Sequence, residues 1–299
     1  MGLISSSLAS AVTPAWLTGI SLWINLASLA LLILGLALVW RRDRPSALHR
    51  FVSLGPVFYT VPLAVFGMQH FALFDSVKFA VPAYMPWPGF WTCLVGAALI
   101  AACLSAITQI KSDLAALLLA IMFVLFVLMI YLPNLIQNPH DRFSISNPLR
   151  DVSLAAGAMC MAWTTSPAAR RPKLHWLAIA GRLVFAAAIL YFGVEQFLHP
   201  EFAPGVPLEL VTPTWVPGHI AWSWFAGIVL VAGGLGLLVN KTARWAAIAV
   251  SIAYLLLVAF VYLPMEFVHP SVEISGELDY LVNTLAVGGA ALLVAGSLE

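Results

Sequence analysis

The sequence predicts an all-α integral membrane protein of about nine transmembrane helices, and three observations support this fold class. Only 9% of the 299 residues are charged, 62% are hydrophobic, and the mean hydropathy is +0.97. A soluble domain carries about 25% charged residues, so this chain cannot cover itself with a polar surface. The apolar residues form long runs, and the chain repeats its own sequence once along its length.

Nine runs are apolar enough to cross a bilayer, which takes about 20 residues of helix. The first run has no basic segment before it and ends in Arg41-Arg42-Asp43-Arg44, which favours a signal anchor over a cleaved signal peptide. The fifth and the ninth runs begin with polar residues. The nine predicted spans are 15–40, 51–69, 89–109, 114–132, 150–166, 177–195, 219–239, 244–263 and 279–296.

The distribution of charge predicts the orientation of the chain. Eleven of the fourteen lysines and arginines fall in alternate loops, at 41–50, 111–113, 170–182 and 241–244. Because basic loops stay on the cytoplasmic side, we expect the N-terminus outside and the C-terminus inside. The outer side then receives ten of the thirteen acids and five of the seven histidines. A net charge of +1 without an extended basic patch argues against nucleic acid as a partner.

The chain contains a tandem duplication. A shift of 131 residues superposes Trp91 on Trp222 and Pro133 on Pro264, and it holds over some 75 residues. Upstream, Gly67 pairs with Gly193 at a shift of 126, so the loop between has gained or lost five residues.

The duplication divides the chain into three parts. These are a signal-anchor helix with its basic loop at 1–50, a first four-helix repeat at 51–169 and a second at 170–297. Each repeat holds an even number of spans, so we predict two parallel, pseudo-symmetric four-helix bundles plus one N-terminal helix.

The second repeat resembles the four-helix membrane domain of the DoxX-like family. The similar features are a Q-F-L-H-P turn at 196–200, a helix with the pattern G-x₅-G-G-x-x-L-L at 227–238, and a short basic turn at 240–244. The first repeat matches more weakly, because Leu73-Phe74 replaces the His-Pro pair. Members of this family resemble the membrane subunit of thiosulfate:quinone oxidoreductase, belong to oxidative-stress complexes or act as membrane chaperones. We therefore expect a multi-pass protein of a bacterial inner membrane.

The second repeat also carries ionisable groups where the first has neutral ones. Glu195 stands opposite Gln69, and His199 stands opposite Leu73. Helical bundles commonly build ligand sites from such inward-facing side chains. We predict one outward-facing cavity in the second bundle, lined by Glu195, His199, His219, Glu266, His269, Trp215, Trp222 and Tyr262.

Glu195 and His199 are the predicted catalytic pair. They are four residues apart and share a helix face if the helix continues to Pro200. A histidine with a pKa near about 6.5 beside a carboxylate is suited to proton transfer. We therefore expect a membrane redox subunit that binds a quinone or a similar lipophile, with the other six residues in contact with the ligand. Its electron donor would be a separate protein, since the sequence has no dinucleotide, haem-attachment or iron–sulfur motif.

Other interpretations remain open. The same histidines and glutamates are adequate ligands for zinc, copper or iron, but no helix carries a metal-ligand spacing, and we predict no metal. A non-enzymatic membrane scaffold or assembly factor would leave Glu195 as a solvated helix end and His199 as a turn residue. A small-molecule transporter is compatible with parallel repeats, although no span has a central charge. Membrane lipids and a lipophilic small molecule are the expected partners in each case.

Overall fold

The computed structural model describes residues 19–41, 45–268 and 277–299. Within these ranges the only extended pairing is an isolated antiparallel bridge between Phe202 and Val211. A 3₁₀ turn lies at Lys78–Ala80, and two π-helical turns lie at Val127–Tyr131 and Val258–Tyr262. The α-helices are, in order, α1 (Gly19–Trp40), α2 (Ala47–Val52), α3 (Gly55–Ala72), α4 (Phe74–Val77), α5 (Pro88–Thr108), α6 (Ser112–Phe126), α7 (Leu132–Gln137), α8 (Arg142–Thr165), α9 (Arg171–Leu198), α10 (His219–Leu238), α11 (Ala243–Leu257), α12 (Leu263–Val268) and α13 (Glu277–Gly296).

The prediction of an all-α integral membrane protein is confirmed. Among the described residues, eight segments are long and apolar enough to cross a membrane. The remaining predicted span, the fifth, at 150–166, belongs to α8, which has 24 residues but is more polar because it begins with R-F-S-I-S-N-P-L-R-D. The eight segments are Trp23–Trp40, Ala47–Ala72, Pro88–Thr108, Ser112–Gln137, Arg171–Leu198, His219–Leu238, Ala243–Phe267 and Leu278–Gly296.

The two halves of the chain show the same local distortion at the same position. The two π-helical turns are 131 residues apart, and the flanking helices α6 and α7 begin and end 131 residues before α11 and α12. Each turn is followed within two residues by a proline, Pro133 or Pro264. A proline lacks the N–H that would bond four residues back, and its ring clashes with that carbonyl, so the helix widens before it. The offset of 131 residues between the two π-helical turns equals the shift that superposes the two sequence repeats.

The helices of the first repeat (α3 to α8) are here called the first unit, and those of the second repeat (α9 to α13) the second unit. Within each unit the helices pack in the same order. α3 packs on α5 and α6 packs on α8 in the first unit, while α9 packs on α10 and α11 packs on α13 in the second. The first helix of each unit then packs on the fourth helix of the other unit, so that α3 contacts α13 and α9 contacts α8. α8 and α13 also contact each other, and α1 packs on α3. α3, α8, α9 and α13 therefore form a central layer that the two units share.

The central layer depends on close approach of helix backbones. A Cβ atom on Gly289 of α13 would overlap the backbone nitrogen of Tyr59 and lie 2.5 Å from the carbonyl carbon of Phe58, both in α3. A Cβ atom on Gly157 of α8 would lie 2.6 Å from the Cβ of Ala290. Small residues allow this approach between membrane helices, where van der Waals packing drives association. The Tyr59 hydroxyl also donates to the Leu154 carbonyl at 2.7 Å, which joins α3 to α8.

The two ends of the helix bundle differ in charge. At the end where α3 and α9 begin, here called the basic end, Arg170 pairs with Asp113 at 2.9 Å and Arg244 pairs with Glu299 at 2.6 Å. The end where α3 and α9 finish is here called the Glu195 end. It carries the long loop between α9 and α10 and the chain between α3 and α5. The candidate site lies toward the Glu195 end.

Candidate functional site

A cavity of about 870 Å³ lies in the first unit, toward the Glu195 end. Its walls come from α3, α5, α6 and α8, and the chain at 73–85 forms its rim. The start of α13 and residues 208–209 of the second unit also line it. Most of the lining side chains are apolar, among them Leu63, Phe66, Leu99 and Phe123. Cavities of about 300–1,000 Å³ with apolar walls and few polar groups are typical of small-molecule sites. The size and the lining therefore fit a lipophilic ligand.

Five polar side chains line this cavity in two hydrogen-bonded sets, here together called the polar cluster. Arg150 donates from Nε to Asp151 Oδ1 at 2.9 Å and from Nη2 to the Tyr131 hydroxyl at 2.7 Å. Gln69 donates from Nε2 to Asp279 Oδ1 at 2.6 Å, which links α3 to α13. All five residues line the cavity, so its apolar volume ends on hydrogen-bonding and charged atoms.

The N-terminal cap of α8 fixes where that helix begins. Asp141 precedes α8, and its Oδ2 accepts from the Ser144 hydroxyl and from the Ser144 backbone N–H, each at 2.8 Å. These two bonds hold the pKa of the exposed Asp141 carboxyl below its usual value. With the start of the helix fixed, Asn147, Arg150 and Asp151 follow the i, i+3, i+4 spacing of one helix face. All three line the cavity.

The equivalent space in the second unit is filled by the chain itself. Residues 203–208, here called the plug, belong to the loop between α9 and α10, and all six are buried. The Tyr262 hydroxyl donates to the Pro204 carbonyl at 2.7 Å. Gly205 has a φ of +108°, and a Cβ atom there would lie 3.0 Å from Tyr254 Cε1 and 3.1 Å from Leu257 Cδ1.

The repeat register relates the plug directly to the cavity. Tyr254, Leu257 and Tyr262 correspond to Phe123, Phe126 and Tyr131, which line the cavity of the first unit. The loop that contains the plug is also the loop that is five residues longer in the second repeat. The additional residues fold inward, so the second unit is filled where the first is open.

The predicted catalytic pair is separated by the end of α9. Glu195 is buried, and its Oε2 accepts from Arg142 Nε at 2.6 Å. His199 lies just beyond the last residue of α9, with φ −134° and ψ 62°, because Pro200 disfavours helical backbone in the residue before it. The His199 ring is 3.6 Å from Glu201 Oε1. Glu195 thus contacts α8, while the His199 ring contacts Glu201, and neither residue lines the cavity.

The other predicted site residues take separate positions. The Trp222 ring stacks on Phe260 with 6.1 Å between centroids. His219 is the first residue of α10, Glu266 lies half-buried on α12, and Trp215 is exposed. Tyr262 binds the plug, and His269 lies outside the described residues. Tyr262 is thus in contact with the plug, and a cavity shared by the eight residues stays a prediction from the sequence.

Sequence reasoning missed the polar cluster, although one signal for it was present. Arg150 is one of only three basic residues assigned to the outer side, the others being Lys78 and Arg142. Arg150 and Asp151 interrupt the start of the fifth predicted span, and charges within a span mark a functional site by default. Their hydrogen bonds to each other and to Tyr131 show why they are tolerated there.

The sequence predicts no metal site. Within the described ranges, no group of three or more His, Cys, Asp and Glu is placed to hold a metal ion. The polar cluster has two carboxylates beside one guanidinium, one phenol and one amide, which together supply both donors and acceptors of hydrogen bonds. Such a set suits an organic head group.

The buried bond between Tyr262 and the plug gives a first testable prediction. The Tyr262→Phe variant removes a hydroxyl and leaves the Pro204 carbonyl without its donor, so we expect a loss of about 1–3 kcal/mol in the free energy of unfolding. Tyr84→Phe is the matched control, since the Tyr84 hydroxyl donates to the Met129 carbonyl at 2.9 Å in an exposed position. Thermal unfolding in detergent should show a large shift for the first variant and little for the second. Equal shifts would mean that the bond between Tyr262 and the plug adds no more stability than an exposed one.

Comparison with protein-family models, with curated proteins and with solved structures finds no match to this chain. The resemblance to the DoxX-like family therefore stays a prediction from the sequence. The fold defines a multi-pass α-helical membrane protein. Its described residues enclose a largely apolar cavity that has a polar cluster at one side.

Proposed function

We propose that this protein binds a quinone or a similar lipophile in the cavity of the first unit and acts as the membrane subunit of a quinone-linked redox system. The observation that carries the proposal is the combination of a large apolar volume with a localised polar cluster. The proposal places the head group at the polar cluster of the first unit, and the role of Glu195 and His199 in the second unit stays a prediction from the sequence.

The shape and chemistry of the cavity support a flat, carbonyl-bearing head group. The aromatic side chains of Phe66, Trp91, Phe123 and Phe126 line it, and aromatic rings favour offset or edge-to-face packing against another ring. Asn147 also lines the cavity and offers an amide N–H to a carbonyl oxygen. A quinone presents two such oxygens on an apolar ring.

The carboxylates of the polar cluster support a role in proton transfer. A quinone that accepts electrons must also take protons on its ring oxygens. Asp151 is held by Arg150 and Asp279 is held by Gln69, and both residues line the cavity. A carboxyl group positioned beside the reacting oxygen can deliver a proton, typically for a rate gain of about 10²–10⁴-fold. Electrons would come from a separate donor protein.

Quinone titration of the purified full-length protein tests the proposal. A water-soluble, short-tailed benzoquinone is expected to quench tryptophan fluorescence in a saturable manner, because Trp91 lines the cavity. The Asn147→Leu variant should weaken binding roughly tenfold, the loss expected for one hydrogen bond to the ligand. Asn138→Leu is the control, since Asn138 is exposed at the same end and does not line the cavity.

The outcomes separate the alternatives. Saturable quenching in the wild type and in Asn138→Leu, weakened in Asn147→Leu, supports the proposal. Quenching that never saturates in any variant favours the scaffold or assembly factor. Saturable binding together with movement of the quinone across sealed vesicles would favour the transporter instead.

A further inference from the structure

We infer that the cavity opens sideways into the bilayer between α5 and α6, so that its ligand is a tailed, lipid-like molecule. The head group lies at the polar cluster, and the hydrocarbon tail passes between the two helices into the membrane. This inference rests on the proposed function and specifies the class of the ligand and its route of access.

The first observation is a group of side chains that both line the cavity and are exposed on the protein surface. These are Leu94 of α5, exposed by 46%, and Leu118, Ile121 and Leu125 of α6, exposed by 56%, 47% and 45%. All four lie within segments that are long and apolar enough to span the membrane. A surface that belongs at once to the cavity and to the lipid-facing side of two spans is a lateral opening.

The second observation is the difference between the two units at this position. In the second unit a Cβ atom on Gly233 of α10 would overlap Val250 of α11, and one on Gly236 would lie 2.8 Å from the Cβ of Ala246. α10 accordingly packs more closely on α11 than α5 packs on α6. At the positions of these two glycines the first unit has Ala102 and Ser105.

The larger side chains of the first unit account for the wider spacing between α5 and α6. Leu119 also replaces Val250 in the repeat register, so the α5–α6 contact has more atoms to accommodate on both sides. In the most apolar 18 residues of the segment Ser112–Gln137, 22% are buried, against 50% in those of its counterpart Ala243–Phe267. Packing with small residues brings membrane helices together, and its loss leaves a gap that apolar chains can occupy.

The dimensions of the cavity suit a molecule that lies along the membrane normal. Lining residues of α6 and the following π-helical turn extend from Leu118 to Tyr131, which is about 20 Å at the rise of a helix. A bilayer has a hydrocarbon core about 30 Å thick, so a cavity that starts with the polar cluster near one surface extends past the middle of the core. The ligand would therefore have its polar head near one membrane surface and its tail extending past mid-depth, along the direction of the surrounding lipid chains.

The rim of the cavity supports access from the membrane. The chain between α3 and α5 places Leu73, Val77, Val81, Pro82 and Met85 over its end. These apolar side chains disfavour the entry of a polar solute from water. The lateral gap offers a continuous hydrocarbon path, because its own lining is leucine and isoleucine.

A pair of repeat-related variants tests the inference. Ile121→Trp places a large ring in the gap, and Ile252→Trp places the same ring at the equivalent lipid-facing position of α11, where Ile252 is exposed by 44%. Each full-length variant is reconstituted in phosphatidylcholine nanodiscs and titrated with two benzoquinones that share one head group, one with a short and one with a long isoprenoid tail. We expect Ile121→Trp to lose at least tenfold in affinity for the long-tailed quinone and no more than twofold for the short-tailed one.

The control distinguishes failure of this inference from failure of the proposed function. Ile252→Trp should bind both quinones as the wild type does. If Ile121→Trp binds the long-tailed quinone as well as the wild type, or loses both quinones equally, the lateral opening is not the path of the tail and the inference is overturned. If the wild type binds neither quinone, the proposed function itself fails and the inference fails with it.

Discussion

The Gly289→Ala variant is expected to lose about 3 kcal/mol in the free energy of unfolding, the upper end of the cost of overpacking a core. The added Cβ would overlap the backbone nitrogen of Tyr59 and crowd the backbone of Phe58. A side chain can rotate away from a new methyl group, but a helix backbone cannot, so α13 would have to move away from α3. Because that contact joins the two units, the damage would reach both.

Gly296→Ala is the matched control for this prediction. Gly296 ends the same helix, and a Cβ atom there would meet only Val52 Cγ1, at 3.4 Å. Alanine is also preferred over glycine in a helix by roughly 0.5–1 kcal/mol, so this variant should be neutral or slightly more stable. Thermal unfolding in one detergent compares the two. Similar midpoints would show that the helices are not in backbone contact at Gly289.

The Arg142→Met variant should have the second large effect. It leaves the buried carboxylate of Glu195 without the guanidinium that donates to it at 2.6 Å, and it removes the cation that lies 4.1 Å from the centroid of the Phe202 ring. Loss of one partner of a buried ion pair typically costs about 3–5 kcal/mol, and a shift of the unfolding midpoint in denaturant measures it.

The double variant Arg142→Met with Glu195→Leu separates the structural from the catalytic interpretation of Glu195. Replacing both partners by apolar residues often restores stability, since no charge is then left buried alone. We expect this variant to regain most of the loss and to bind quinone as the wild type does. A stable double variant that has lost quinone-dependent activity would instead support the proton-transfer role that the sequence suggests for Glu195.

Much of the fold follows from composition and periodicity. Long apolar runs must become helices in a bilayer, because every backbone group has to be hydrogen-bonded within its own segment. The exception is α8, whose polar start shortens the apolar run at 150–166 although the helix itself begins at Arg142. There the cap at Asp141 and the partners of Arg150 and Asp151 decide the structure, and those partners come from elsewhere in the chain.

The location of the site is harder to predict for a related reason. The sequence shows that one loop is five residues longer, but extra residues can extend into solvent or fold inward. The choice depends on the Tyr262 hydroxyl, 58 residues from the Pro204 carbonyl that it binds. Likewise the partner of Glu195 is Arg142, which reaches it only because α8 of one unit packs on α9 of the other. Comparison of the two repeats position by position reveals neither contact.

The packing of each unit on the other determines what one half of the chain would expose if it stood alone. One four-helix unit alone would expose the face of α3 that meets α13, or the face of α9 that meets α8. Two copies of such a unit could cover these faces for each other by a half-turn about an axis between α8 and α13. The pairing of α3 with α13 and of α9 with α8 is the one that a two-fold homodimer of such units would have. A single chain permits what a homodimer cannot, since its two halves do not need the same sequence. Here one half is filled by its own loop and the other is open.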